Sequence, residues 1–316
     1  MHIDSKQQQL QLSVIIPTYN AGHNFKQLLT RLQSQSLRPC EIIVVDSSST
    51  DGTAEIALQA GVRVLSIKQS EFDHGGTRNW AAEHTTGDIV VFMTQDAWPA
   101  DDQLLEELAQ MLTTNRELAC VYGRQLARED ATVIEKLVRF NNYPPVSSVK
   151  SKEDIPRFGL RTFFCSNVCA AYRKDMFIQL GKFDAPVIFN EDMFFAARSI
   201  LNGYQVGYCA TAEVVHSHNY TLKQQFKRFF DNGISMRRNA WIMPYSAVGG
   251  AGMQLIKTQL RYLCKERRWL WVPRVFTEAA AKFLGFQLGK RYEMLPKVLC
   301  RRFSLHPNIW QKLNAD

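Results

Sequence analysis

The chain has 316 residues, of which 46% are apolar. This is enough to form one large α/β domain with a smaller appended module, and it excludes a disordered or fibrous protein. No apolar run reaches the roughly 18 to 20 uncharged residues that a membrane helix needs, and the first twelve residues are polar rather than signal-like. Seven scattered cysteines fit reduced thiols better than a disulfide framework, so the sequence predicts a cytoplasmic protein.

The formal net charge of +8 is divided unevenly along the chain. Residues 1–221 carry 20 Lys and Arg against 25 Asp and Glu, whereas residues 222–316 carry 18 against 5, a local net charge of +13. We therefore expect the two parts to face different partners.

The first half of the chain alternates strand and helix patterns. Short apolar runs rich in β-branched residues are followed by amphipathic segments, and this order is typical of a parallel sheet covered by helices on both faces. The sequence thus predicts an α/β fold with a mostly parallel central sheet. The predicted pairs are strand 12–17 with helix 25–35, strand 41–46 with a helix from about 53, strand 62–67 with a helix from about 77, and strand 88–94 with a helix over about 101–113.

Polar loops follow these strands, at the edge where open parallel sheets bind ligands. The loops cover residues 18–20, 46–51, 73–79 and 95–97. Neither a G-x-G-x-x-G nor a G-x-x-x-x-G-K-[ST] motif occurs, so a nucleotide would be held by polar side chains and a metal ion. Ordinary turn and helix-capping chemistry is an equal alternative for residues 47–51 taken alone.

Four segments resemble, in order, the successive motifs of family 2 glycosyltransferases: SVIIPTYN, EIIVVDSSSTDGT, GGTRNWAAEHTTGDIVVFMTQDA and FNEDMFFAAR. The resemblance spans about residues 12–238. FDHGGTRN, TQDA and HSHNYTLKQQFKRFFDNG further resemble the bacterial rhamnosyltransferase branch. The resemblance implies a GT-A-type, Rossmann-like catalytic domain, which we place at residues 1–245, and a basic, aromatic-rich helical region at residues 246–316.

This family resemblance implies an inverting transferase that moves a sugar onto a saccharide acceptor in bacterial cell-surface polysaccharide synthesis. The narrower branch implies L-rhamnose from dTDP-L-rhamnose, with another UDP- or GDP-sugar as the alternative donor. Two rivals are a sugar nucleotidyltransferase and a non-catalytic sugar-binding protein. Against a nucleotidyltransferase, the chain lacks the glycine-rich loop that those enzymes have after the first strand. Against a non-catalytic protein, the chain keeps the acids Asp96, Glu191 and Asp192.

The resemblance also implies a donor nucleotide site. Thr18, Tyr19 and Asn20 would line the nucleoside pocket, Asp46 would accept a hydrogen bond from the base, and Arg78 would face the diphosphate or the sugar. The remaining members of the expected donor site are Pro17, Ser48, His74, Gly75, Gln95 and Asp96.

A metal site is expected beside this nucleotide site. A departing nucleoside diphosphate gathers negative charge, which Mg²⁺ or Mn²⁺ on oxygen ligands stabilises. Many relatives have D-x-D after the fourth strand, and Asp96 matches its last acid, while the first acid is missing from Thr94-Gln95-Asp96. His216 matches a family position that often completes the metal site, with an ordinary histidine as the alternative. For His218 the ordinary histidine is the favoured interpretation.

The adjacent acids Glu191 and Asp192 precede a helical pattern over residues 193–201. An acid at a helix start is commonly a partner of the helix dipole, but the family's general base falls on this pair. Such a base takes a proton from the acceptor hydroxyl, and a helix start would keep its carboxylate ionised. We assign the base to Asp192 and an orienting role to Glu191, and the reverse assignment stays open.

From residue 222 onward, aromatic and basic residues interleave at helical spacing. This composition is typical of helices that lie on an anionic membrane surface, where a lipid-linked saccharide acceptor would be met at the inner face of the cell membrane. The alternative is that the apolar faces pack on the catalytic domain or on a second copy in a homo-oligomer. No nucleic-acid-binding motif accompanies the charge, so no nucleic-acid partner is expected.

Overall fold

The computed structural model describes residues 11–247 and 251–313. Within these ranges nine strands form one mixed sheet, in the order β3-β2-β1-β4-β8-β6-β9-β5, with β7 paired to β9. The strands are β1 Leu12–Thr18, β2 Glu41–Asp46, β3 Arg63–Ser66, β4 Ile89–Met93, β5 Trp98–Pro99, β6 Leu118–Leu126, β7 Ser148–Lys150, β8 Cys169–Arg173 and β9 Gln205–Val215.

Helices cover both faces of the sheet and continue beyond it at the C-terminal side. In the same two ranges the α-helices are α1 Phe25–Gln33, α2 Thr53–Gln59, α3 His74–Glu83, α4 Leu104–Thr114, α5 Val133–Asn142, α6 Ile155–Phe158, α7 Lys174–Gln179, α8 Glu191–Leu201, α9 Leu222–Arg238, α10 Ala251–Lys265, α11 Val272–Gly289, α12 Lys297–Phe303 and α13 Trp310–Leu313. The predicted α/β class is confirmed.

The two faces of the sheet carry separate cores. Along β1, Val14 and Ile16 pack with α1 and α4 on one face, whereas Ile15 packs with Phe92 and Tyr172 on the other. Successive side chains of a strand point to opposite faces, so a strand buried on both faces is apolar at nearly every position. This explains the continuous apolar runs in the sequence.

Strands β1, β2, β3 and β4 run parallel, as predicted, but β8 is inserted antiparallel between β4 and β6. Cys169, at the start of β8, pairs with Met93, at the end of β4. The loop before β8 therefore lies at the same sheet edge as the carboxyl ends of the parallel strands, which brings Asn167 to the candidate site.

Two helix starts and one strand differ from the sequence prediction. Helix α3 begins at His74 rather than near 77, because the Asp73 carboxylate accepts a hydrogen bond from Gly76 N (2.7 Å) and caps the helix. Helix α8 begins at Glu191, two residues earlier than predicted. The sequence pattern predicts a strand over residues 212–215, but β9 extends back to Gln205, because its first half lies between β6 and β7.

Helices α9 and α11 pack with their backbones in contact, through glycines on both. A Cβ atom placed on Gly289 would lie 2.0 Å from Phe230 O, one on Gly285 would lie 2.3 Å from Phe226 O, and one on Gly233 would lie 2.4 Å from Phe286 O. Helix α9 precedes the expected domain boundary at 245/246 but packs on a helix that follows it. The boundary itself stays a prediction. Among the described residues, no helix is long and apolar enough to span a membrane.

Candidate active site

A cavity of about 1500 Å³ lies at the carboxyl edge of the strands, between the sheet and the C-terminal helices. It is lined by the residues that follow β1, β4 and β9, by α5, by the start of α8, and by parts of α9, α10 and α11. The predicted site residues that line it are Pro17, Thr18, Tyr19, His74, Arg78, Gln95, Asp96, Glu191, Asp192 and His216. Asn20, Asp46, Ser48 and Gly75 lie outside its lining.

Three of the predicted residues that do not line the cavity, Asn20, Asp46 and Ser48, form hydrogen bonds in the loops that follow β1 and β2. Asp46 is 4% exposed. Its carboxylate accepts hydrogen bonds from Thr18 Oγ1 (3.1 Å) and from the backbone N of Ser49 (2.9 Å). Asn20 Oδ1 accepts from Thr50 N (2.9 Å), and Ser48 Oγ donates to Ile67 O (2.9 Å). These contacts hold the loops in place, and the predicted contact of Asp46 with a nucleotide base stays a prediction.

Gly75 has a packing role that the structure makes visible. A Cβ atom on Gly75 would lie 1.9 Å from the carbonyl oxygen of Asp184. Only a glycine allows helix α3 to approach the loop before α8 this closely. The approach brings His74 and Arg78, on the same helix, to the acids at the start of α8.

Three side chains form a cluster that could hold a metal ion: Asp96, His216 and His218. One ligand atom of each lies within 4.8 Å of the others. His216 Nε2 is 3.5 Å and His218 Nε2 is 3.1 Å from Asp96 Oδ2. Burial raises the pKa of Asp96, but the neighbouring side chains of His216 and His218 hold it well below its usual range, so its carboxylate is ionised.

The contacts of His216 on the side away from Asp96 determine which of its ring nitrogens carries the proton. Its Nδ1 lies 3.1 Å from Gln125 Oε1, which also accepts a hydrogen bond from Arg139. Nδ1 is therefore assigned as the donor. Burial lowers the pKa of His216, which favours the neutral ring, and Nε2 then presents a lone pair to the Asp96 carboxylate. Two facing lone-pair donors fit a cation between them, and a histidine fixed through its other nitrogen is the usual support of a metal ligand.

His218 is the ligand candidate that the sequence interpretation passed over. The signal was present, because His216 and His218 are two residues apart in the segment after β9. In extended chain, residues i and i+2 lie on the same side.

The two acids at the start of α8 have different surroundings. Glu191 is buried; its Oε1 lies 3.5 Å from Arg78 Nη1 and accepts a hydrogen bond from Asn167 Nδ2 (3.0 Å). Asp192 has no ion pair within the described residues and accepts from the backbone N of Asn167 (2.9 Å) and of Met193 (2.8 Å). Burial and the neighbouring Glu191 charge raise the pKa of Asp192 to about 7. These two effects on the pKa of Asp192 are larger than the effect of its position at a helix start, which alone would keep the carboxylate ionised.

Polar loops at the ends of parallel strands, a candidate cation cluster and a carboxylate with a raised pKa in one cavity are the parts of a nucleotide-sugar transferase. The chain belongs to glycosyl transferase family 2, whose family model matches residues 13–181. The resemblance seen in the motifs is thereby confirmed, and with it the glycosyltransferase class.

Two relatives resemble the chain over nearly its whole length. It is 42% identical to the O-antigen chain rhamnosyltransferase WbaN of Salmonella anatum, over 95% of this chain and 96% of that one. It is 39% identical to the O-antigen chain rhamnosyltransferase RfbN of Salmonella typhimurium, over 96% and 97%.

Solved structures share the fold at low sequence identity. The mannosyltransferase PcManGT of Pyrobaculum calidifontis, in complex with GDP-Man and Mn²⁺, has a TM-score of 0.61 and 17% identity, covering 89% of this chain and 87% of that one. TarS 1–349 of S. aureus, in complex with UDP-GlcNAc, has a TM-score of 0.54 and 14% identity, covering 90% and 92%. At these identities the likeness shows the fold alone.

Proposed function

We propose that the protein transfers L-rhamnose from dTDP-L-rhamnose onto a saccharide acceptor during O-antigen chain synthesis, with inversion at the anomeric carbon. The observation that carries the proposal is the near-complete match to two O-antigen chain rhamnosyltransferases. The cavity supports it, because the carboxylate of Asp192 and the candidate cation cluster face the same space.

The surroundings of the acid pair support Asp192 as the general base. Glu191 is held by Arg78 and Asn167, whereas Asp192 is partly exposed to the cavity and accepts only backbone hydrogen bonds in the described chain. A pKa of about 7 suits a base that must bind and release a proton near neutral pH. Asp192 would take the proton of an acceptor hydroxyl as that oxygen bonds to the anomeric carbon. The bond from that carbon to the diphosphate oxygen breaks, and dTDP leaves with the bonding electrons.

Asp96, His216 and His218 would hold a divalent cation, Mg²⁺ or Mn²⁺. A bound dication would neutralise charge on the leaving diphosphate without a proton transfer. Imidazole ligands are uncommon for Mg²⁺, which prefers carboxylate and water oxygens, so the two histidines favour Mn²⁺. The backbone atoms of Tyr19, fixed by the Gln95 amide, would keep the nucleoside loop against this cluster.

The far wall of the cavity suits an acceptor with an apolar part. Val138 of α5, Ile256 of α10 and Val275, Phe283 and Phe286 of α11 line it. A saccharide carried on a lipid diphosphate would place its sugar at Asp192 and its apolar portion along these helices. We therefore propose a lipid-linked saccharide as the acceptor.

We also propose that the turn between α10 and α11 contacts an anionic membrane. Leu270 is 95% exposed and Trp269 is 59% exposed at this turn. Lys265, Arg267 and Arg268 flank them, and within the described residues none of these three cations pairs with a carboxylate. Exposed aromatic and aliphatic side chains ringed by cations are the composition of a membrane-surface contact. Packing of a second copy on this turn is the alternative.

The test of the proposed activity uses the purified protein with Mn²⁺ and a lipid-linked saccharide acceptor. dTDP-L-rhamnose, UDP-glucose and GDP-mannose are compared by release of nucleoside diphosphate, and the product is analysed by NMR. We expect release of dTDP and an α-linked rhamnose from the β-linked donor. A preference for UDP-glucose or GDP-mannose, or retained configuration, would overturn the proposal. Pyrophosphate as the product would instead identify a nucleotidyltransferase.

A further inference from the structure

A segment near the C-terminal end of the described chain returns to the sheet and forms part of the cavity wall. Leu305, His306, Pro307, Asn308 and Ile309 line the cavity. They lie more than 110 residues beyond the acid pair along the chain, and the sequence predicts no role for them in the site.

Four polar contacts fix this segment, which we define as residues 304–312. The buried Asp231 of α9 accepts hydrogen bonds from the backbone N of Leu305 (2.7 Å) and of His306 (3.2 Å). Lys227 Nζ donates to Ser304 O (3.2 Å). Lys312 Nζ lies 3.1 Å from Asp73 Oδ2, the carboxylate that caps α3. The segment is thus tied both to α9 and to the helix that carries His74 and Arg78.

The ring of His306 completes a cluster of four rings at the cavity. It meets His74 edge-on at 5.2 Å between ring centroids, and Phe189 edge-on at the same distance. His74 stacks on Phe189 at 5.5 Å, and Phe72 meets His74 edge-on at 5.2 Å. All four side chains line the cavity. Burial lowers the pKa values of His74 and His306 to about 3, so both rings are neutral near pH 7.

The cluster adjoins the acid pair on the donor side of the cavity. Arg78 Nη1 donates to His74 O (2.9 Å) and pairs with Glu191. Helix α3, which carries His74, follows β3 at the edge of the sheet opposite β9, whereas α10 contacts α5, the helix that follows β6. During transfer the anomeric carbon must lie between the leaving diphosphate and the base. The donor sugar ring then reaches toward Arg78 and Glu191, and so toward the four rings.

Polar atoms beside the cluster also lack partners. His74 Nε2, Arg78 Nε and Asn190 Nδ2 are buried, and none has a hydrogen-bond partner within the described part of the chain. Buried polar groups in folded proteins are nearly always hydrogen-bonded, so these three atoms indicate a polar ligand. Apolar ring surfaces together with a few unpaired polar atoms are typical of a small-molecule subsite.

We infer that residues 304–312 complete the subsite for the donor sugar: the rings of His306 and Phe189 pack on a C–H face of the hexose, and His74 Nε2 and Asn190 Nδ2 hydrogen-bond its hydroxyls. This inference rests on the proposed use of a nucleotide sugar. It adds a wall supplied by the C-terminal segment to the predicted donor and metal residues, all of which lie between residues 17 and 218.

The test measures dissociation constants for dTDP and for dTDP-L-rhamnose by calorimetry with Mn²⁺, so that the difference between the two ligands reports the sugar contacts. We expect His306→Ala to weaken dTDP-L-rhamnose about 3- to 10-fold, the size of one lost aromatic contact, and to leave dTDP within about twofold. His306→Phe keeps a ring and should retain most of the affinity. Arg302→Ala, exposed on α12 outside the cavity, is the matched control and should change neither constant.

Turnover of dTDP-L-rhamnose by the unaltered protein is checked first. Its absence would refute the proposed donor, and the two-ligand comparison would then use the nucleotide sugar that is turned over. With a working donor, an unchanged sugar affinity in His306→Ala, or an equal loss for both ligands, would overturn the subsite. If His306→Ala lowers the melting temperature too far for binding to be measured, Lys312→Ala loosens the same segment. It should also weaken the nucleotide sugar more than dTDP.

Discussion

Replacing Asp192 by asparagine separates proton transfer from binding. Asparagine keeps the size of the side chain and one oxygen to accept from Asn167 N or Met193 N, but it cannot take a proton. We expect kcat to fall about 10²- to 10⁴-fold, the usual contribution of a positioned base. The dissociation constant of dTDP-L-rhamnose should change little, because the loss falls on a step after binding. Release of dTDP in a coupled assay gives kcat, and calorimetry gives the donor affinity.

The pH dependence of kcat/KM gives a second expected magnitude for the role of Asp192. The base works only when ionised, and the pKa of Asp192 is raised to about 7 by burial and by Glu191. The ionised fraction at pH 6 is then about a tenth. Because kcat/KM reports the pKa values of the free enzyme, kcat/KM should rise about tenfold from pH 6 to its plateau above pH 8. An aspartate with an ordinary pKa near 3.8 would give a flat profile over this range.

Glu191→Gln is the internal control, since Glu191 is engaged by Arg78 and Asn167. It should lower kcat less than Asp192→Asn does. The rise of kcat/KM with pH should move to lower pH, because the Glu191 charge that helps to raise the pKa of Asp192 is removed. If Glu191→Gln abolishes transfer while Asp192→Asn stays active, the two roles are exchanged. If both variants stay active, neither acid is the base. A flat profile of the unaltered protein from pH 6 to pH 8 would refute the raised pKa of Asp192.

Three further predictions concern the cation, the helix packing and the membrane contact. His218→Ala should raise the Mn²⁺ concentration needed for half-maximal turnover at least tenfold, because a third of the protein ligand set is lost; an unchanged requirement would remove His218 from the site. Gly289→Ala should lower the melting temperature by several degrees, because its Cβ would lie 2.0 Å from Phe230 O. By contrast, Gly252→Ala in α10 has nothing within 4 Å and should be neutral or stabilising, so equal effects would refute the packing argument. Replacing Trp269 and Leu270 by serine should reduce co-sedimentation with anionic vesicles, and binding should weaken with salt; full binding by this variant would exclude the turn as the contact.

The sequence predicted the parts of the fold that depend on local pattern. Residues 12–17, 41–46, 62–67 and 88–94 are strands to within about two residues, because a strand buried on both faces requires an unbroken apolar run. The rule that ligands bind at the carboxyl ends of such strands then brought Thr18 and Asp96 to one edge. In the structure both line the same cavity.

Other features could not be predicted from local pattern because they depend on pairing and packing between distant segments. The antiparallel insertion of β8 places Asn167 against both acids, and no property of residues 166–173 specifies a neighbour. The contact of His306 with His74 depends on the hydrogen bonds that Asp231 accepts from the backbone of Leu305 and His306, more than 70 residues away in the chain. The raised pKa of Asp192 likewise follows from burial, which the acid pair alone does not indicate.

The middle position of the segment Thr94-Gln95-Asp96, which replaces the D-x-D motif, can be explained by its contacts, whereas nothing in the structure explains the missing acid at Thr94. The side-chain amide of Gln95, in this middle position, forms two hydrogen bonds with the backbone of Tyr19. Its Oε1 accepts from Tyr19 N (2.8 Å) and its Nε2 donates to Tyr19 O (3.1 Å). A carboxylate could accept from the N–H but would repel the carbonyl oxygen, so only an amide can make both bonds. The loop after β4 is thereby tied to the nucleoside loop after β1. With a single acid left at Asp96, a cation would depend on the two imidazoles after β9. The bond of His216 to Gln125 holds one of them at the required place.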